Sequence, residues 1–422
     1  MKKLNLLTLI IGSCMFLLLE SCNKDEEILD PCANVTCQNG GDCNDGSCDC
    51  PEGFSGVNCE VALKVRKNAK DLTIQEMQDY VNAILILKAT PSPYISTLSY
   101  YDTFVRWHQM AVEKSFCTGY GVAHMNPAFL AWHRKLLVLY ENALSEVSGQ
   151  DIALPYWDWT DQESTDATFS ENLMGGNGDA NDEFALNDGP FRKNNWQVNV
   201  FTIKPNYVGL NPHPWLVRNF AATLLGSNNY PGYPVNLPTT AQVDDCLNIA
   251  TYDMSPWDCS NADEPNTSFR FCLEGFTDGN CPGQQAMHNI VHDWVAGFFE
   301  IPVSDIELIP TETYNSYCNE FMNDTVPNNV RVGSMEPLDV SPNDPTFFMH
   351  HCNVDKLYAN WQEIGDNFNN YSPVSGAPEG YNLNDQMYPY SLPEWQTIPQ
   401  MTVDGNTPAS MLDFKALGYY YQ

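Results

Sequence analysis

The sequence predicts a mainly α-helical domain with long loops, preceded by a small disulfide-rich module. Three observations carry this. Helical periodicity recurs around residues 93–114, 127–147, 284–298 and 345–362, separated by Asn-, Gly-, Pro- and Asp-rich stretches at 160–195 and 226–268. Six of the 15 cysteines crowd into residues 32–59. At 422 residues with 43% hydrophobic and 12% aromatic side chains, the chain has material for one large core plus an accessory piece, which excludes a disordered protein. No repeat of fixed period is present. The formal charge of −33, from 53 acidic against 20 basic side chains, repels phosphate backbones and argues against a nucleic-acid partner.

The chain opens as a targeting segment. Lys2 and Lys3 precede an apolar run from Leu4 to Leu19 that Ser13 and Cys14 interrupt. Leu19-Glu20-Ser21-Cys22 resembles a bacterial lipoprotein cleavage box, with Cys22 as the lipidated residue. The polar run Asn23-Lys24-Asp25-Glu26-Glu27 resembles the acidic export tag of surface-exposed lipoproteins. Residues 1–22 are therefore expected to be a lipoprotein signal peptide, with the lipid tethering the protein to the outer membrane or cell surface. An ordinary cleaved signal, giving a secreted protein, and a retained anchor are the alternatives. A rival box at Ile11–Cys14 would leave an apolar start to the mature chain. Export implies an oxidising compartment, so disulfides are the default state of the cysteines.

Fewer than thirty residues cannot bury a sufficient core, so bridges must replace it between 32 and 60. Spacing alone fixes no pairing. The run Cys32-x4-Cys37-x5-Cys43, followed by Cys48-x-Cys50-x8-Cys59, closely resembles an EGF-like module. That resemblance implies the pairs Cys32–Cys43, Cys37–Cys48 and Cys50–Cys59. Asp30-Pro31 is an incomplete calcium signature, so no calcium is expected there. A spacer role is favoured over specific adhesion.

Residues 61–70 read as a short basic linker, and the large domain as 71–422. Asp71-Leu-Thr-Ile-Gln-Glu-Met opens a helix with acidic residues in its first turn. Phe129 to Glu141 is an amphipathic helix carrying His133, while His124 lies in the preceding loop beyond Pro127. His288 and His292 share one helix face at i, i+4. A zinc protease would need Glu after the first of these, and Asn289 stands there instead. Asp344 caps and Pro345 opens a helix bearing His350 and His351. Adjacent helical residues diverge by about 100°, so one of these two points inward and the other is turned aside.

Seven of the eight histidines thus fall into two groups, 108/124/133 and 288/292/350/351. Their settings resemble the tyrosinase family of type-3 copper proteins, which includes catechol oxidases and molluscan hemocyanins. His124-x8-His133-Arg134 resembles its first copper motif. His288-Asn289-x2-His292 and Asp344-Pro345-x-Phe347-x3-His351-x3-Asp355 resemble the second. Leu154-Pro-Tyr-Trp-Asp-Trp159 and the tail Met411-Leu-Asp413 with Leu417-Gly-Tyr419 also match.

The resemblance implies two copper ions, the first held by His108, His124 and His133, the second by His288, His292 and His351. Neutral imidazole suits copper, and three nitrogens leave each ion an open position. His350 is expected beside the ligands rather than among them, and His213 without a metal role. Phe347 is placed to stack on an imidazole, and Asp355 to orient a ligand or pair with Arg134. Leu338 would line the entrance and leave it open. Many relatives link a cysteine to the second histidine; Val122 occupies that position and Cys117 is poorly placed, so no cross-link is expected. Cys352 is expected unpaired, with Cys246–Cys259 and Cys272–Cys281 as local bridges.

The implied activity uses dioxygen to hydroxylate monophenols and to oxidise o-diphenols to o-quinones. A catechol oxidase without monophenolase activity, an oxygen carrier, and a surface adhesion protein with an accessory copper domain are the alternatives. Glu274 and Asn289 match the family's glutamate and asparagine that hold a proton-accepting water. Asp293, after His292, departs from the pattern and would disfavour acidic phenols. The residues after 362 resemble the end of the catalytic domain rather than a plug, so activity without proteolysis is expected. The natural phenol and any copper-delivery partner are not specified by the sequence.

Overall fold

The computed structural model describes residues 30–202, 213–222, 235–257, 267–275, 287–300, 312–315, 320–323, 330–372, 376–396, 401 and 405–422. Cys22, with the whole leader, lies outside them. The protein is mainly helical. Among the described residues, no helix is long and apolar enough to cross a membrane.

The chain begins in a small lobe closed by Cys32–Cys43, Cys37–Cys48 and Cys50–Cys59. Two short antiparallel pairs shape it: β1 (Asp42–Asn44) with β2 (Ser47–Asp49), and β3 (Phe54–Ser55) with β4 (Val61–Ala62). The segment read as a linker is not one. β5 (Lys64–Arg66) pairs in parallel with the last strand of the protein, β10 (Tyr419–Tyr421). Its basic residues are spent on ion pairs: Lys64 with Asp151 at 3.1 Å, Lys67 with Glu76 at 2.6 Å, and Arg66 with buried acids described below.

α1 (Ile74–Ala89) starts at a Thr73–Glu76 capping box rather than at Asp71. α2 (Tyr100–Thr118) and α3 (Phe129–Ser148) each end at a left-handed glycine, Gly119 and Gly149. The loops expected at 160–195 and 226–268 hold two helices too short to show periodicity, α4 (Gln162–Thr168) and α5 (Thr240–Leu247). α6 (Phe269–Glu274) and α7 (Met287–Ala296) follow, then strands β6 (Phe298–Glu300), β7 (Glu312–Asn315), β8 (Glu320–Asn323) and β9 (Val330–Val332) in two antiparallel pairs, β6–β9 and β7–β8. α8 (Thr346–Gln362) closes the core. The helix starts one residue later than expected, with Pro345 rather than Asp344 as its N-cap; Asp344 accepts the Thr346 amide at 3.0 Å and pairs with buried Arg218 at 2.8 Å.

α3 lies at the centre, packed on α1 and α8, so it is buried almost all round rather than along one stripe. Tyr140 of α3 stacks on Phe348 of α8 at 3.5 Å and 9°. This packing sets His133 and His351 face to face.

Candidate metal centre

His108 comes from α2, His124 from the loop before α3, and His133 from α3; their ligand atoms all lie within 4.8 Å of one another. His288 and His292 from α7 gather with His350 and His351 from α8 under the same limit. The two groups adjoin, with the His133 and His351 rings stacked at 4.3 Å and 13°. All seven imidazoles are buried.

Backbone carbonyls fix four of the tautomers. His108 Nδ1 faces the Asp339 carbonyl at 3.1 Å, His133 Nδ1 that of Phe129 at 2.9 Å, His288 Nδ1 that of Glu274 at 3.2 Å, and His292 Nδ1 that of Met335 at 2.8 Å. A carbonyl only accepts, so each Nδ1 carries the proton and each Nε2 keeps its lone pair. Burial holds every one of these histidines below the usual imidazole range, His108 at about 3 and His292 at about 4.

The result suits metal ions. Nε2 of His108, His124 and His133 are buried without a protein partner. In the second group, His288 Nε2 lies 3.1 Å from His292 Nε2 and 3.2 Å from His351 Nε2. The His288 and His292 lone pairs, aimed at each other across such a gap, repel unless a cation sits between them. The donors are neutral nitrogens with no thiolate, the set that copper takes.

Phe347 lies between the groups, 4.1 Å from the His351 ring, 5.3 Å from His108 and 6.1 Å from His292. It is a wedge against several imidazoles. Among the described residues, Asp355 hydrogen-bonds to no histidine. It pairs with Arg134 at 2.5 Å and Arg66 at 3.1 Å, which decides between its two expected roles. His350 is not turned aside from the cluster. Its ring stacks on His288 at 4.9 Å and 16°, leans on Trp159 at 5.1 Å, and neither nitrogen has a protein partner. α8 runs through the core, so two adjacent side chains are both buried. His213 lies apart, beside Glu183 at 3.7 Å and stacked on Trp215.

Glu274 is buried and bonded to the chain at both groups, through Met125 and His288. One carboxylate oxygen accepts the Met125 amide, next to His124, at 2.7 Å; the other takes Arg270 at 2.5 Å. Burial pushes its carboxyl up to about 7 despite Arg270. The Asn289 amide donates to the Gly275 carbonyl, tying the residue after His288 to the turn after Glu274. Leu338 is half-buried in the segment whose Met335 and Asp339 carbonyls hold one histidine of each group. Burial also raises the Asp293 carboxyl, to about 7.

A profile of the common central domain of tyrosinase matches residues 98–364. The chain belongs to the tyrosinase family. It is 32% identical over 354 residues to a tyrosinase of Streptomyces antibioticus, covering 83% of this chain and 97% of that one. It is 30% identical over 375 residues to a grixazone synthase of Streptomyces griseus, covering 85% and 100%. A polyphenol oxidase from Thermothelomyces thermophila shares the fold, with a TM-score of 0.51 at 19% identity over 85% of this chain and 89% of that one. As a tyrosinase-family member the protein is a copper oxidoreductase, of a family that binds two copper ions and acts on phenols with dioxygen. The two histidine groups are suited to that pair of ions.

The sequence did not reveal the carbonyl clamps, the Arg270–Glu274–Met125 link or the burial of Arg66. A carbonyl belongs to every residue type, so nothing in periodicity or spacing marks the four that act here. Two further expectations change. Cys246 and Cys272 are unbonded, on helices that pack together; their expected partners Cys259 and Cys281 lie outside the described residues. Register explains the change, because the chain after α5 is bonded to the start of α6. Cys117 is disulfide-bonded, which removes it from any link to histidine, and Cys352 is free.

Proposed function

We propose that the protein hydroxylates monophenols and oxidises o-diphenols to o-quinones, with His108, His124 and His133 holding one copper and His288, His292 and His351 the other. The observation that carries this is the buried trio of imidazoles adjoining a buried group of four. When bound, the two copper ions bind dioxygen and supply the two electrons that activate it. The chain's own residues do the rest. The carbonyls of Asp339, Phe129, Glu274 and Met335 keep imidazole Nε2 atoms aimed inward. Phe347 and Trp132, at 5.7 Å from His108, exclude bulk water from their backs.

A monophenol must lose its proton, and an unperturbed phenol has a pKa of about 10, so a positioned base is needed near neutrality. We assign that to Glu274 with Asn289, acting on a water. A second reading, diphenol oxidation alone, is favoured by the bonds that both Glu274 oxygens already accept. Oxygen uptake with tyramine and with catechol separates the two. Glu274→Gln and Asn289→Ala should each cut monophenol turnover about tenfold or more while sparing catechol. Brisk catechol turnover in the wild type with no monophenol touched makes the protein a catechol oxidase. Full monophenol activity in both variants removes these residues from the base.

We further propose that residues 32–60 are an EGF-like spacer, that residues 71–422 are the catalytic domain with β5 added to it, and that lipid on Cys22 tethers the exported protein to a membrane surface. The disulfides of the lobe support export. Cys22→Ala should release the protein into the soluble fraction; retention would point to Cys14 or to an uncleaved anchor.

A further inference from the structure

Cys246, near the end of α5, and Cys272, within α6, lie close together where the two helices pack: the Cys246 sulfur is 3.8 Å from the carbonyl of Phe269, three residues before Cys272. Backbone register fixes this approach. The Phe269 and Arg270 amides donate to the Thr251 and Tyr252 carbonyls, both at 2.9 Å, so the chain just after α5 is clamped to the start of α6. Phe269 stacks on Trp361 of α8 at 4.5 Å and 4°, and the Trp361 indole donates to the Ile249 carbonyl at 2.7 Å. Cys246 is buried, with its sulfur 3.8 Å from the Phe269 carbonyl. Cys272 is half-buried and so reachable. Neither belongs to the histidine groups.

We propose that Cys246 and Cys272 are joined as a disulfide in the exported protein, stapling α5 to α6. The proposal rests on the reading of the chain as exported. Oxidation proceeds by exchange with a protein disulfide of the oxidising compartment. The Cys272 thiolate attacks one sulfur of that disulfide, forming a mixed disulfide and expelling one thiolate. The Cys246 thiolate then displaces the second sulfur. One S–S bond forms and one is reduced to a dithiol, which takes up the two protons that the cysteines release. Cys272 is the attacking member because it is the more accessible of the two. The staple would steady α6, which presents Arg270, Glu274 and the carbonyl that orients His288.

The test is disulfide mapping of the full chain by mass spectrometry, alkylated without reduction, from an exporting host and from a reducing cytoplasm. The exported protein should yield a cross-linked peptide joining Cys246 to Cys272, and the cytoplasmic protein should carry an alkyl group on both. Alkylated Cys246 and Cys272 in exported protein, or a link from either to Cys259 or Cys281, overturns the proposal while the Cys32–Cys43, Cys37–Cys48 and Cys50–Cys59 bridges uphold export. Should the cysteines of residues 32–59 be alkylated as well, the export reading fails and the proposal falls with it.

Discussion

A buried histidine is ready to bind metal when its proton is already committed to one nitrogen. At His108 and His292 that commitment comes from one short segment, through the carbonyls of Asp339 and Met335. A shift of residues 335–339 would therefore disturb both copper sites at once. The histidines themselves were legible because there are only eight and six stand in tight motifs or at matching positions. The clamps were not, since their acceptors lie 231 and 43 residues away from the rings they hold. His350 is the informative residue at this scale. It shares the second cluster, while the resemblance to the family motif points to His351 as the ligand. Elemental analysis of copper-loaded protein should find two coppers in the wild type and in His350→Gln, and at most one in His351→Gln or His133→Gln. One copper in His350→Gln would make that residue a ligand. Zinc in the wild type would end the dicopper assignment.

At the scale of elements, the core is tied together by an ion network that joins β5, α3, α8 and β10. Asp355 accepts from Arg134 at 2.5 Å, Arg66 at 3.1 Å, and the Tyr419 and Tyr421 hydroxyls at 2.7 and 2.5 Å; Arg66 also pairs with Glu141 at 3.0 Å. α2, α3, α7 and α8 were readable from periodicity. The strand pairing of β5 with β10 was not, because three residues of Lys-Val-Arg look like a linker until their partner near the C-terminus is known. Removing one member of a buried pair leaves uncompensated charge, at a cost of about 3–5 kcal/mol. Asp355→Asn strands Arg134 while Arg66 keeps Glu141, so the unfolding free energy from denaturant melts should fall by about that amount, and copper retention should weaken as α3 and α8 lose their lock. The pH dependence has a definite sign. Burial alone would raise the Asp355 carboxyl, but Arg134, Arg66 and the two tyrosines outweigh it and hold it below the usual carboxylate range. Its stabilisation is thus present above the unfolded value of about 3.9 and is lost as pH falls through the lower folded value. Wild-type stability should drop steeply below about pH 4, and Asp355→Asn should flatten that limb. An unchanged acid limb in the variant would show that Asp355 does not carry it.

Over the whole molecule the dominant quantity is a formal charge of −33. Charge says nothing about which fold forms, and the fold class came instead from periodicity and cysteine spacing. It does act on every substrate that approaches the metal centre. At an ionic strength of about 0.01 M the screening length is about 30 Å, comparable with a small domain, whereas at 1 M it shrinks to about 3 Å. A cationic phenol should therefore be gathered and an anionic one repelled at low salt, through the association step rather than the chemistry. Two effects compete as explanations for any such preference: the field of the whole surface, and the single carboxylate of Asp293 beside His292. Salt and substitution distinguish them. With tyramine and 3-(4-hydroxyphenyl)propionate as matched substrates, the ratio of kcat/KM should favour tyramine by about tenfold at low salt and contract severalfold toward 1 M. Asp293→Asn should leave most of that contraction intact. If the preference instead ignores salt and vanishes in Asp293→Asn, selection is local, and the acidity of the surface serves solubility alone.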